Sequence, residues 1–261
     1  MLKDSALRKL DYIFLILLPI TAAAIALTFR TNYLVSTILF FGIASVWFSF
    51  RSPKNIIKTM LFTILLAFPL GVVILDYILV ADQAWWSPTI FPWRFLEIIP
   101  YEDLIWGILQ GYLVILMYEH FLDRGKNKLF GKNIRYFLWL LAVLLPLFFV
   151  AYIFNPELLV IPYAYFWIGF LFFIIPSVIF LIWYPRNITK FLKLSAYFFY
   201  LHIVFEFVAL ELGNWVFPGT HYLGVFNLLG QRVPIEEMFF WWCFFIIPIL
   251  TWYEYFNDDQ K

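Results

Sequence analysis

Eight apolar stretches of roughly twenty residues, set apart by short polar turns, constrain this chain more than any motif in it. They run over 10–29, 33–50, 57–80, 98–121, 134–154, 161–184, 191–212 and 234–256. A helix needs about 20 apolar residues to cross the bilayer core. Hydrophobic residues make up 64% of the 261-residue chain and charged residues 13%, against roughly 45–50% and about 25% in soluble domains. A soluble sphere cannot hide that much apolar surface, and disorder needs the opposite balance. The reading is an all-α, polytopic integral membrane protein of about eight helices. The first stretch follows MLKDSALRKL without a small-residue cleavage site, so it is expected to be a retained helix and not a signal peptide.

An even number of spans puts both termini on one side, which makes the basic residues countable by side. The termini and the turns 51–58, 122–135 and 185–193 hold Lys3, Arg8, Lys9, Arg51, Lys54, Lys58, Arg124, Lys126, Lys128, Lys132, Arg135, Arg186, Lys190, Lys193 and Lys261, fifteen of the 18 Lys and Arg. Arg30, Arg94 and Arg232 fall on the other side. The positive-inside rule then predicts a multi-pass protein of the cell membrane with both termini cytoplasmic. The net charge of +1 gives no reason to expect nucleic acid as a partner, and the single Cys243 excludes a disulfide framework or a cysteine-based zinc site. Three histidines, His120, His202 and His221, give no reason to expect a metal site.

The chain also repeats itself. LFFGIASVWFSFRSPKNI (39–56) aligns without gaps on LFFIIPSVIFLIWYPRNI (171–188), with ten of 18 positions identical. Asp76, Trp85, Pro100-Tyr101-Glu102-Asp103 and Tyr118-Glu119 recur as Glu206, Trp215, Pro234-Ile235-Glu236-Glu237 and Tyr253-Glu254, at offsets of 130 to 135. The expected organisation is one compact membrane domain made of two four-helix units, 1–130 with the PYED motif and 131–261 with the PIEE motif. Units with an even number of spans insert in the same orientation, as parallel repeats, and such repeats enclose a binding cavity.

Ionisable groups inside spans are costly and mark function. Asp76, Glu102, Asp103, Glu206, Glu236 and Glu237 all fall toward the non-cytoplasmic ends of the spans. Pro and acids in a first helical turn also suit the helix start itself, but here the pattern occurs twice, each time after a Trp-containing loop. Successive helical residues point about 100° apart, so only one acid of each pair is expected to face a given cavity. The first acid is Glu in both copies, which favours Glu102 and Glu236 as the working acids. Glu119 and Glu254, one span further on beside Tyr118 and Tyr253, are expected to be interfacial anchors. His202, one turn before Glu206, is expected to hydrogen-bond it, with a proton shuttle as the sharper alternative. Paired carboxyls can act as general acid and general base, and aromatic faces stabilise a nearby cation. Trp85, Trp106, Trp215, Phe240 and His202 are the residues expected to face a substrate, with an apolar polyene as the class that suits such a cavity.

At this point the residues resemble a known family. VFEFVALELGNWVFPGTHYLGVFNLLGQRVPIEEMFF (204–240) is similar to the repeat of the membrane-integral lycopene (carotenoid) cyclases, and Asp76–Glu119 follows the same pattern more loosely. The chain length suits the fused, two-repeat form of that family. The resemblance implies closure of the linear ψ-end groups of lycopene to β-type rings by a proton-initiated, non-redox reaction. It implies no cofactor, and the chain contains no G-x-G-x-x-G sequence for a flavin. Carried over by position, Glu102, Asp103, Glu236 and Glu237 match the acidic motifs, and Asp76 and Glu206 match the acid before the Trp loop. The expected partners are lycopene and membrane lipid. Cyclisation of longer or hydroxylated carotenoids, non-catalytic pigment binding and proton-coupled transport remain the alternative readings.

Overall fold

In the computed structural model the described residues are 2–123 and 131–256. Arg124, Lys126, Lys128 and Lys261 of the basic count lie outside them, and the expected boundary between units at 130 and 131 adjoins the undescribed stretch. Eight helical segments follow one another: α1 (Leu2–Phe29), α2 (Tyr33–Arg51), α3 (Pro53–Ala81), α4 (Tyr101–Asp123), α5 (Ile134–Phe154), α6 (Ala164–Trp183), α7 (Asn187–Leu212) and α8, a pair Glu237–Phe244 and Ile246–Phe256 bent by 56°. The first seven are long and apolar enough to cross a membrane, and the bent pair makes an eighth if counted as one span. The chain is read here as a multi-pass membrane protein, and the segments agree with the apolar stretches to within a few residues at most ends. α3 and α7 start earlier than expected, at Pro53 and Asn187, so α7 takes in Lys190 in its first turn.

The exposed surface fits a lipid environment. α5 turns Leu138, Trp139, Leu147, Ile153 and Phe154 outward, and α1 does the same with Ile13, Ile16, Leu17 and Ile20. In lipid an apolar side chain needs no protein partner, so the helices are sorted by close packing and polar contacts. α1 packs on α7, α3 on α5, α2 on α4, α6 on α8, and α4 on α8. Two large clusters of buried apolar residues result, beside a smaller one of Leu210, Phe217, Val233 and Trp242. One lies around Phe40, Phe48, Leu113, Phe198 and Leu250, the other around Val73, Tyr77, Phe137, Phe148 and Tyr165.

Several helices contain wide π-helical turns: Ile38–Gly42, Ala67–Asp76, Glu119–Asp123, Gly169–Ile174 and Glu237–Phe244. The longest contains Pro69 and Gly71. Proline has no N–H to give and crowds the carbonyl one turn back, which favours a widened helix at that place.

At one end of the bundle the loops after α3 and α7 lie side by side. Trp86 and Val216 exchange backbone hydrogen bonds of 2.8 and 2.9 Å. Gly219 sits so close to the Gln83 carbonyl that a Cβ would stand 2.7 Å from its oxygen. The second loop carries a small hairpin, β1 (Val225–Leu228) with β2 (Gln231–Pro234), turned by Leu229 and Gly230 at φ of 51° and 76°. Two successive positive φ values match the tight turns that suit strand twist. The all-α expectation contained no strand, so this hairpin is an addition to it.

The opposite end is tied by charge. Asp11, fully buried, accepts from Arg51 Nε and Nη2 at 2.9 Å each, from Trp47 Nε1 at 3.0 Å, and contacts His120 Nε2 at 3.2 Å. Lys58 Nζ stands 2.7 Å from Glu119, which also accepts from the Tyr253 hydroxyl. The Tyr118 hydroxyl donates to Glu254, and Lys190 pairs with Asp123 at 3.0 Å. Glu119 and Glu254 are therefore not interfacial anchors. Both are buried, because each is the acceptor that a tyrosine from the other end of the chain requires.

Candidate active site

Between the two clusters lies a cavity of ≈ 200 Å³. Four acids line it, one each from α3, α4, α7 and α8: Asp76, Asp103, Glu206 and Glu237. Asp76 and Asp103 lie within electrostatic reach of one another, as do Glu206 and Glu237. Trp85, Trp106, Trp215, Trp241, Trp242 and Phe245 form much of the remaining wall, and no Lys or Arg lines it. Trp106 and Trp241 meet at 5.4 Å between ring centroids, and Trp241 continues onto Trp85 at 5.9 Å and Phe245 at 4.1 Å.

Local structure explains which acid of each PxE[ED] motif reaches the cavity. Glu102 and Asp103 occupy the first turn of α4, after Pro100. Glu102 turns back to the preceding loop, accepting from Thr89 Oγ1 and Ile90 N at 2.8 Å each. Asp103, one residue on and about 100° round the helix, faces the cavity. In the second motif Glu236 accepts from Leu223 N at 2.6 Å, and Glu237 faces the cavity. The expectation that only one acid of each pair faces the cavity agrees with this geometry. The choice of Glu102 and Glu236 as working acids does not: both hold backbone N–H groups of the loops and are absent from the cavity wall.

Three of the four cavity acids have donors close by. The Tyr165 hydroxyl donates to Glu237, and Trp215 Nε1 donates to Glu206 at 3.1 Å. The Tyr33 hydroxyl and the Trp85 indole lie within hydrogen-bonding reach of Asp103. The rings cross over between these groups. Tyr33 meets Trp215 edge-on at 5.4 Å, and Tyr165 meets Trp85 edge-on at 5.7 Å. Asp76 Oδ2 and Asp103 Oδ2 have no hydrogen-bond partner among the described residues.

His202 lines the cavity but does not bond Glu206. Its Nδ1 lies 3.0 Å from the Trp241 carbonyl, which can only accept, so Nδ1 carries the proton. Its Nε2 then accepts from Gln110 Nε2 at 2.6 Å. The ring thereby joins α7 to α4 and α8, and both nitrogens are occupied by groups other than a carboxylate. The expected bond to Glu206 is not made because Gln110 and the Trp241 carbonyl take both ring nitrogens.

Phe240 is the other correction. It is buried outside the cavity wall, seated on Gly169 so tightly that a Cβ there would lie 2.4 Å from its ring. From the motif to Tyr-Glu the second copy is one residue longer than the first: Glu236 to Tyr253 against Glu102 to Tyr118. The π-helical turn Glu237–Phe244 lies within that interval. A residue inserted into a helix is commonly taken up as such a turn, and Trp241 with Trp242 faces the cavity where Phe240 was expected.

Trp85, Trp106 and Trp215 stand where the sequence reading put them. Tyr33, Tyr165 and Gln110 were not anticipated. A signal for the tyrosines exists: the offset of 132 that aligns 39–56 with 171–188 also aligns Tyr33 with Tyr165. No protein-family profile, curated protein or solved structure matches the chain. The resemblance to the cyclases therefore rests on the residues quoted above.

Proposed function

We propose that the protein is a membrane-integral carotenoid cyclase that closes the ψ-end groups of lycopene to β-type rings. The observation that carries this reading is the cavity itself. Four carboxyls converge on one apolar, aromatic-walled space with no Lys or Arg among the described residues of its lining. One carboxyl, in its protonated form, donates a proton to the terminal C=C of the end group. The neighbouring double bond attacks the resulting tertiary cation and closes a six-membered ring. A second carboxyl, as carboxylate, takes a proton from the ring carbon beside the new cation, and the C=C of the product forms there. Atoms and charge balance without an oxidant or reductant. The indole faces of Trp85, Trp106 and Trp241 supply cation stabilisation of about 0.5–2 kcal/mol each. General acid–base transfer of this kind contributes typically 10²–10⁴-fold in rate.

The reading includes two parallel four-helix repeats with both termini cytoplasmic and the four acids toward the other face. The count of fifteen basic residues at one end supports the orientation. Reciprocal contacts support the repeats: Tyr118 with Glu254 against Tyr253 with Glu119, and Tyr33 on Trp215 against Tyr165 on Trp85. Trp86 and Val216, 130 residues apart, pair with each other as a two-fold axis would require.

The test is expression in a lycopene-accumulating bacterial host with chromatographic pigment analysis. A shift from lycopene to monocyclic or bicyclic carotene supports the reading. Unchanged lycopene with the protein present in the membrane overturns it for this substrate. Pigment that co-purifies without ring formation favours a non-catalytic binder, which the same cavity would also serve.

A further inference from the structure

The cavity is long, and its acids are all at one end. On α4 its wall runs from Asp103 through Gly107 and Gly111 to Ile115. Twelve residues of helix cover about 18 Å. Phe62 on α3 and Trp252 on α8 line the end remote from the acids. That end holds no lining carboxyl. The nearest acids of the same helices, Glu119 and Glu254, are absent from the wall and accept from Tyr253 and Tyr118. Gly107 and Gly111 both line this arm, and at Gly107 the α4 backbone packs against Val72 of α3, where a Cβ would stand 3.2 Å from Val72 Cγ2. A linear C40 polyene is roughly as long as the ~30 Å bilayer core is thick, so it is longer than the arm.

We propose that the arm seats the unreacted part of the polyene and that the protein closes one end group per binding event, a second ring requiring release, reversal and rebinding. The proposal rests on the cyclase reading. Both carboxyl pairs surround the same end of the cavity, so they act together on one end group and do not serve the two ends of the substrate separately. Among the described residues, the lining of the arm itself offers the rest of the polyene no carboxyl. Each closure is an isomerisation in which one proton is added to the terminal alkene carbon and one is lost from the ring.

The test follows product order in the full-length protein in liposomes. ¹³C-labelled lycopene is supplied until monocyclic product forms, and an excess of unlabelled lycopene is then added. Label that stays in the monocyclic carotene supports the proposal, because the intermediate has left the protein and is outcompeted. Label that passes on to bicyclic product despite the chase overturns it. A second measurement fills the arm. Gly71 lines the arm, and a Cβ there would meet only the Leu66 carbonyl oxygen, at 3.9 Å, so Gly71→Leu adds bulk at the cavity wall without displacing backbone. Turnover is expected to fall at least tenfold in protein that elutes from size exclusion as wild type does. Wild-type turnover in this variant overturns the arm as the seat of the polyene. Should the variant not fold, the chase decides alone. Absence of any ring formation by the wild-type protein overturns the cyclase reading itself, and this inference with it. That outcome is distinguishable from ring formation in which label passes the chase.

Discussion

Tyr165 donates its hydroxyl to Glu237, joining the first turn of α6 to the first turn of α8 at the cavity wall. A hydroxyl donor of this kind fixes the orientation of the carboxyl group that accepts from it. Tyr165→Phe removes the donor and keeps the ring that packs on Trp85. On the proposed cyclase reading, turnover is expected to fall about 10–100-fold, in line with the ~1–3 kcal/mol cost of leaving a buried polar group without its partner. On the same reading the ratio of ring types is expected to shift too, because Glu237 is no longer held in one orientation at the cavity wall. Pigment chromatography reads both. An unchanged product ratio at reduced rate would assign Tyr165 a packing role only.

The two acids of each motif are expected to separate in mutagenesis. Glu237→Gln and Asp103→Asn should lower ring formation by about 10²-fold or more, the usual loss on removing a general acid or base. Glu236→Gln and Glu102→Gln keep a carbonyl acceptor for Leu223 N and for Ile90 N. They should therefore lose about 1 kcal/mol of stability and retain most of the activity. Ring formation in lycopene-accumulating cells, normalised to protein in the membrane, checks this. Abolished activity in Glu236→Gln with Glu237→Gln active would reverse the assignment.

Glu119 is an acceptor shared by Lys58 and Tyr253. Breaking a buried ion pair by removing one partner costs about 3–5 kcal/mol. Glu119→Gln should accordingly lower the thermal midpoint of the detergent-solubilised protein by several degrees. Tyr118→Phe and Tyr253→Phe each remove one of the two reciprocal hydrogen bonds, and each should cost about 1–3 kcal/mol. A midpoint unmoved in all three variants would mean that this end of the bundle is held by other contacts.

Gly169 allows the ring of Phe240 to pass close to the α6 backbone. Gly169→Ala puts a methyl group where the ring stands, an overpacking that costs about 1–3 kcal/mol. Phe240→Leu in the same chain should recover much of that loss. Thermal unfolding of the single and double variants measures it, and additive losses would exclude the direct clash.

The seven or eight long helices were readable from the chain because lipid leaves the backbone no other partner, so apolar length alone marks a helix there. Both PxE[ED] motifs and the repeat were readable for the same kind of reason. Proline, acids and Trp recur at nearly fixed spacing, and spacing along one helix is local information. That one acid of each motif would turn from the cavity was also local, following from 100° per residue.

Which acid turns was not local. Glu102 and Glu236 are held by N–H groups 12 and 13 residues earlier in the chain, in loops whose paths depend on Trp86 and Val216 meeting. Phe240 and Trp241 exchanged roles because a π turn rotates the face of α8, and apolar sequence carries no mark of where a helix widens. Tyr118 and Tyr253 looked like interface residues because aromatic and charged groups favour that depth in any span. Only the packing of α4 on α8 brings each to a glutamate about 135 residues away. Sequence patterns decide what one helix does with itself and with lipid. The polar contacts that choose between acids are made between helices, and in a membrane those contacts exist only once the bundle has assembled.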